Sequence, residues 1–138
     1  MKVFFDTNIL LDVLARREPF YADSAKVWTL AETGRLEGFA STLSLPILFY
    51  LLCRSKGKGI ARKSLGVVRD IFSLLPLDMH VADQALNTEM GDFEDAIQYF
   101  SAISAGVAVL LTRNPKDFPG DRIAIQTPED FLAAYLNE

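Results

Sequence analysis

The chain has 138 residues, half of them apolar and 23% charged, enough for one globular domain with a single core. No apolar run reaches the roughly 18–20 residues that span a bilayer, and Asp6 and the Arg16–Arg17 pair interrupt the N-terminal stretches, which argues against a leader or membrane segment and for the cytoplasm. Cys53 is the only cysteine, which excludes an internal disulfide and a thiolate zinc site. The net charge of −4 is uneven: no acid lies between Glu37 and Asp70, a span carrying +6 and leaving −10 on the rest.

In chain order, Val3–Phe5 reads as a short buried strand without alternation, and Thr7–Asn8 can cap a helix to about Ala15. A second helix is expected from Tyr21 to Thr33 with Gly34 as its stop, then a strand over Leu36–Ala40. Residues Ser44 to Arg54 form a strongly apolar helix, either fully buried or partly an interface, and the "KGKG" at 56–59 marks a turn. Ile60 to Leu75 reads as a helix and Leu75–Leu77 as a brief strand around Pro76. Helices over Val81–Glu89 and Phe93–Ala105 lead to the clearest strand, Val107–Leu111. A short strand at Arg122–Ile125 and a terminal helix opened by Thr127-Pro-Glu-Asp complete the pattern. Short apolar strands alternating with helices predict one three-layer α/β/α domain over 1–138, its short-stranded, mainly parallel sheet covered on both faces.

Ligands of such sheets sit beyond the carboxyl ends of the strands. Asp6 follows the first strand, Asn114 and Asp117 in "TRNPKDF" follow the strand at 107–111, and Asp92, Glu94 and Asp95 in "GDFEDAIQYF" open the helix before it. Oxygen ligands converging without His or Cys suit Mg²⁺ or Mn²⁺ rather than zinc. Asp92 and Asp95 also fit a helix cap and its partner, and Asn8 can orient Asp6 or its loop. The only histidine, His80, reads as a surface or capping residue. The basic segment has two readings: a solvated lysine-rich helix pair, or a track for a polyanion.

Together, "FFDTNILLD", the helix-rich interval and "EDAIQYFSAISAGVAVLLTRNPKDF" resemble a PIN domain, the metal-dependent ribonuclease fold of toxins in toxin–antitoxin pairs. The resemblance implies single-stranded RNA cleaved by a metal-activated water, with Asp6 as the first metal-binding acid and Asp95 as the acid opening the later helix. Asp92, Asn114 and Asp117 would complete the metal set, with Glu94 and Asn8 behind them. Arg113 could contact a phosphate or pair with a nearby acid, and Arg54, Lys56, Lys58, Arg62 and Lys63 could track the RNA. The family also implies a small antitoxin partner and frequent homodimers. Two departures stand out: "FASTLSLPILFYLLCR" lacks the glutamate many members carry, and Asn114 stands where many have Asp. They leave a second reading open, a catalytically impaired PIN-like module that binds RNA or protein.

Overall fold

A computed structural model describes residues 1–137. Five strands, β1 (Lys2–Phe5), β2 (Glu37–Ser41), β3 (Ser73–Leu75), β4 (Val109–Leu111) and β5 (Ala124–Gln126), form one sheet in the order β3-β2-β1-β4-β5. Every neighbouring pair is parallel. Seven α-helices connect them: α1 (Thr7–Leu14), α2 (Tyr21–Glu32), α3 (Ser44–Lys56), α4 (Lys58–Ile71), α5 (Met79–Leu86), α6 (Phe93–Ser104) and α7 (Pro128–Leu136). The expected α/β/α architecture with a parallel sheet is therefore the observed one.

The absence of alternation in β1 has a simple cause. Val3 and Phe5 face the cluster built on α1, α2, α3, α4 and α7, while Phe4 faces the cluster built on Tyr99 and Ala102 of α6. All three are fully buried. Each buried aromatic stabilises by about 1.5–3 kcal/mol, so the central strand tolerates no polar residue until it ends. Its successor, Asp6, is the first acid of the chain and is buried as well.

The region after α4 corrects the expected helix over Ile60–Leu75 and strand over Leu75–Leu77. α4 ends at Ile71, Phe72 turns extended (φ −104°, ψ 146°), and β3 occupies Ser73–Leu75. The Phe72 ring explains the early stop: it packs edge-on against Phe5 (4.8 Å) and Trp28 (5.1 Å), which a helical continuation would forbid. Pro76 has no N–H for a ladder and so falls outside the strand. The "KGKG" turn also narrows: Gly57 alone (φ 87°) separates α3 from α4, and Lys58 and Gly59 are helical. α5 runs two to three residues earlier than expected because the Asp78 carboxylate accepts the Val81 N–H at 2.9 Å and fixes its start. β4 and β5 keep their places with shorter or shifted bounds. α3 is only partly buried: Leu48 and Leu52 point inward while Tyr50 is 61% exposed. No described helix is long and apolar enough to cross a membrane.

Gly38 on β2 lies directly beneath Phe72. A Cβ there would sit 2.7 Å from a ring carbon that two other aromatics hold in place. Gly38→Ala should therefore destabilise the fold by about 1–3 kcal/mol, read as a lower urea midpoint at unchanged slope; an unchanged midpoint would show that Phe72 moves freely.

Candidate metal-binding site at the carboxyl edge of the sheet

The strand order reverses between β1 and β4, the switch point where open α/β sheets leave a crevice beyond their carboxyl ends. Phe5 pairs in register with Leu111, so the next residues, Asp6 and Thr112, emerge side by side. The Asp6 N–H donates to the Leu111 carbonyl at 3.0 Å, and the Thr112 hydroxyl donates to Asp6 Oδ2 at 2.9 Å. Asp6 is 3% exposed and occupies the cap position of α1, yet its side chain does not reach the second- or third-residue amides that a helix cap usually satisfies. Thr112, and not Asn8, makes the side-chain hydrogen bond to the Asp6 carboxylate. The hydrogen bonds from Thr112 and the Thr7 amide favour the ionised form, but burial outweighs them and pushes the Asp6 pKa up to about 6.

The second carboxylate comes from α6. Asp92 is its cap and accepts the Asp95 N–H at 2.9 Å, which commits Asp92 to the helix start. Asp95, in that first turn, has its pKa pushed to about 7, first by burial and then by the charges of Asp6, Asp92, Asp117 and Glu94. Burial and the Asp92 charge also raise Glu94, which is solvent-exposed. Asn114 caps the short 3₁₀ turn Pro115–Asp117, accepting the Asp117 N–H on its carbonyl, and both residues are exposed beside the crevice. Asp6 and Asp95 are thus brought into one electrostatic neighbourhood, with Asp92, Glu94 and Asp117 around it.

A buried polar knot sets this neighbourhood. Thr7 and Ser44 share a hydroxyl contact of 2.6 Å, and Gln98 Nε2 donates to Thr7 Oγ1 at 3.0 Å. Thr7 follows Asp6, Gln98 lies one turn beyond Asp95, and Ser44 opens α3, so the knot fastens the starts of α1 and α3 to the middle of α6. All three residues are at most 3% exposed. Sequence reasoning missed them and Thr112. The usable cue was a lone polar residue inside an apolar helical stretch, as Gln98 is in "AIQYF", and a threonine one position beyond a strand paired with the Asp6 strand.

Arg113 does not face the two acids freely. Its Nε lies 3.4 Å from Oδ2 of Asp12, an ion pair whose geometry falls short of a hydrogen bond, and its guanidinium stacks 4.3 Å above the Phe20 ring. Asp12 is fully buried and also accepts the Ser24 hydroxyl at 3.4 Å. The basic cluster lies elsewhere. Arg54 and Lys56 are ten to twelve residues along α3 from Ser44, about 15–18 Å of helix. Arg54 stacks on Tyr50 and Arg62 on Phe49, while Lys58 and Lys63 are exposed on α4.

The donor set suits a cation of a particular kind. Among the described residues, no three His, Cys, Asp or Glu side chains converge closely enough to hold an ion by themselves. Mg²⁺ and ions like it need no such cage, keeping several waters and taking one or two carboxylates with the substrate's phosphate. Two mutually repelling carboxylates in a partly desolvated crevice fit that mode.

A PIN domain family model matches residues 2–116. Solved structures share the fold at low sequence identity. They include a toxin–antitoxin complex from Klebsiella pneumoniae (23% identity, 91% of this chain and 97% of that one, TM-score 0.68). A second is VapBC2 from Rickettsia felis bound to a promoter DNA fragment (17%, 92% and 98%, 0.67). A third is VapC20 from Mycobacterium tuberculosis, described as a Sarcin-Ricin loop cleaving toxin (15%, 86% and 91%, 0.65). No curated protein matches the chain by sequence.

Two predictions follow from the charges. The folded-state pKa values of Asp6 and Asp95 lie above the ordinary 3.8, so the folded chain holds protons that the unfolded chain has released. Their contribution to stability is greatest below pH 3.8 and is lost as pH rises through about 6 to 7. Metal-free protein should accordingly gain thermal stability from Asp6→Asn at about pH 8 and little from it at about pH 3; equal effects at both pH values would refute the buried-charge account. Arg113→Met strands the Asp12 carboxylate and should cost about 3–5 kcal/mol by urea unfolding, with Asp12→Asn added to the same chain recovering part of the loss. The matched PIN model covers most of the sequence, and the fold agrees: this chain belongs to the PIN domain family.

Proposed function

We propose that this chain is a metal-dependent endoribonuclease that hydrolyses single-stranded RNA and serves as the toxin of a cytoplasmic toxin–antitoxin pair. The observation that carries the reading is that the charge of Asp6, which stands at the β1/β4 switch point, raises the cost of ionising Asp95. Family membership adds support, as do structural neighbours that include a toxin described as cleaving the Sarcin-Ricin loop and several toxin–antitoxin complexes.

In this reading Asp6 and Asp95 hold Mg²⁺ or Mn²⁺, with the Asn114 amide oxygen and Asp117 at the margin. The ion supplies an acidified water and charge neutralisation at the phosphodiester. The chain's own contribution is orientation. Thr112 fixes the Asp6 carboxylate, Asp92 caps α6 and fixes the turn that carries Asp95, and the Thr7–Ser44–Gln98 knot ties the start of α1 to α6. Arg54, Lys56, Lys58, Arg62 and Lys63 lie too far along α3 and α4 to act on the scissile bond and instead guide flanking RNA, with affinity falling as salt rises. Residues 1–138 act as one PIN-like domain, and an antitoxin segment or a second copy of the chain covers the exposed part of α3.

The sparse carboxylate set favours a second reading, a PIN-like module that binds RNA or protein without cutting. Incubation of a single-stranded RNA with the purified chain and Mg²⁺ or Mn²⁺ separates the two. Cleavage should appear only with the ion and drop to background in Asp6→Ala and Asp95→Ala. Calorimetry that detects no Mn²⁺ binding, together with intact RNA, would select the binding module.

A further inference from the structure

We propose that the cavity beside Arg113 is a guanine-selective subsite for a base of the bound nucleic acid, one that rests on the RNA reading for its substrate though not for its test. The cavity, about 310 Å³, opens where β4 ends, between the start of α2 and the start of α7. That volume lies at the small end of ligand pockets and suits one base. Its walls combine the Phe20 ring, the Arg113 guanidinium, Pro19 and Pro128 with two carboxylates, Asp23 and Glu129.

Each component selects. Phe20 is 39% exposed at the mouth, and flat aromatic and guanidinium surfaces are where splayed-out bases stack. The Arg113 charge is already balanced by the buried Asp12, so the remaining charge on the walls, from Asp23 and Glu129, is negative. That excludes a phosphate from the cavity and favours a ligand edge carrying N–H donors. Guanine offers both halves of the match: O6 and N7 accept from a guanidinium, while N1–H and the 2-amino group donate to a carboxylate. Adenine presents an amino group to the arginine and an acceptor to the carboxylates, the reverse of what the walls require. Arg113 directly follows Thr112, whose hydroxyl is on Asp6, and its charge lowers the cost of ionising Asp6, so the cavity adjoins the candidate metal site.

The test is a titration of the purified, isotope-labelled chain with GMP, IMP and AMP followed by amide chemical shifts. GMP should move Phe20, Thr127 and Glu129 saturably, and about tenfold more tightly than AMP, with IMP between them because it lacks the 2-amino group. Glu129→Gln and Phe20→Ala, both at exposed positions, should each weaken GMP by about tenfold while leaving the rest of the spectrum in place. GMP binding at these residues in a chain that cuts no RNA upholds the subsite and removes the nuclease. Equal shifts from AMP, shifts confined to the Asp6–Asp95 crevice, or RNA cleavage with no response to GMP at these residues would each overturn the subsite.

Discussion

The site depends on one electrostatic constraint: two carboxylates placed where water is scarce and where each opposes the ionisation of the other. Burial, helped by the Glu94 charge, disfavours the charged form of Asp6, and the Asp6 charge then disfavours that of Asp95. Such a pair survives only if its surroundings hold it rigidly, because an unconstrained helix start would swing Asp95 into solvent. The surroundings here are specific. A threonine hydroxyl fixes Asp6 from the neighbouring strand, Asp92 fixes the first turn of α6, and three buried polar side chains tie α1, α3 and α6 together. These groups hold an arrangement that opposes the fold's own stability at neutral pH, a pattern expected of a functional site.

Much of the fold could be read in the residues, for reasons visible in the structure. β1 is apolar without alternation because both its faces are covered, and α7 begins as its Thr-Pro-Glu-Asp opening predicts, with Thr127 accepting the Asp130 N–H. The misplaced boundary at α4 had a tertiary cause. Phe72 fits the helical pattern of its own segment, and only its meeting with Phe5 and Trp28, distant in sequence, breaks the helix. Within the site, the acids were legible because a carboxylate at the edge of a buried strand has no bland explanation. Their supports were not, since Thr7, Ser44 and Thr112 are ordinary residues until strand register and helix packing bring them together.

Charge is distributed with equal economy. The acidic edge and the basic α3–α4 hairpin are held apart by the length of α3, and the arginine nearest the acids is neutralised by a buried aspartate and laid flat on an aromatic ring. A polyanion would thus meet attraction at the hairpin and selection by shape and hydrogen bonding nearer the crevice. Attraction by charge and recognition by shape would then belong to different surfaces, as the proposed function requires.

The Asp6–Thr112 hydrogen bond joins residues 106 positions apart. During synthesis Asp6 precedes its partner Thr112, and it stays without its partner strand until β4 has been made. A nascent chain therefore carries no assembled Asp6–Thr112 pair until both β1 and β4 have emerged. Chain order itself sets when this end of the sheet can close.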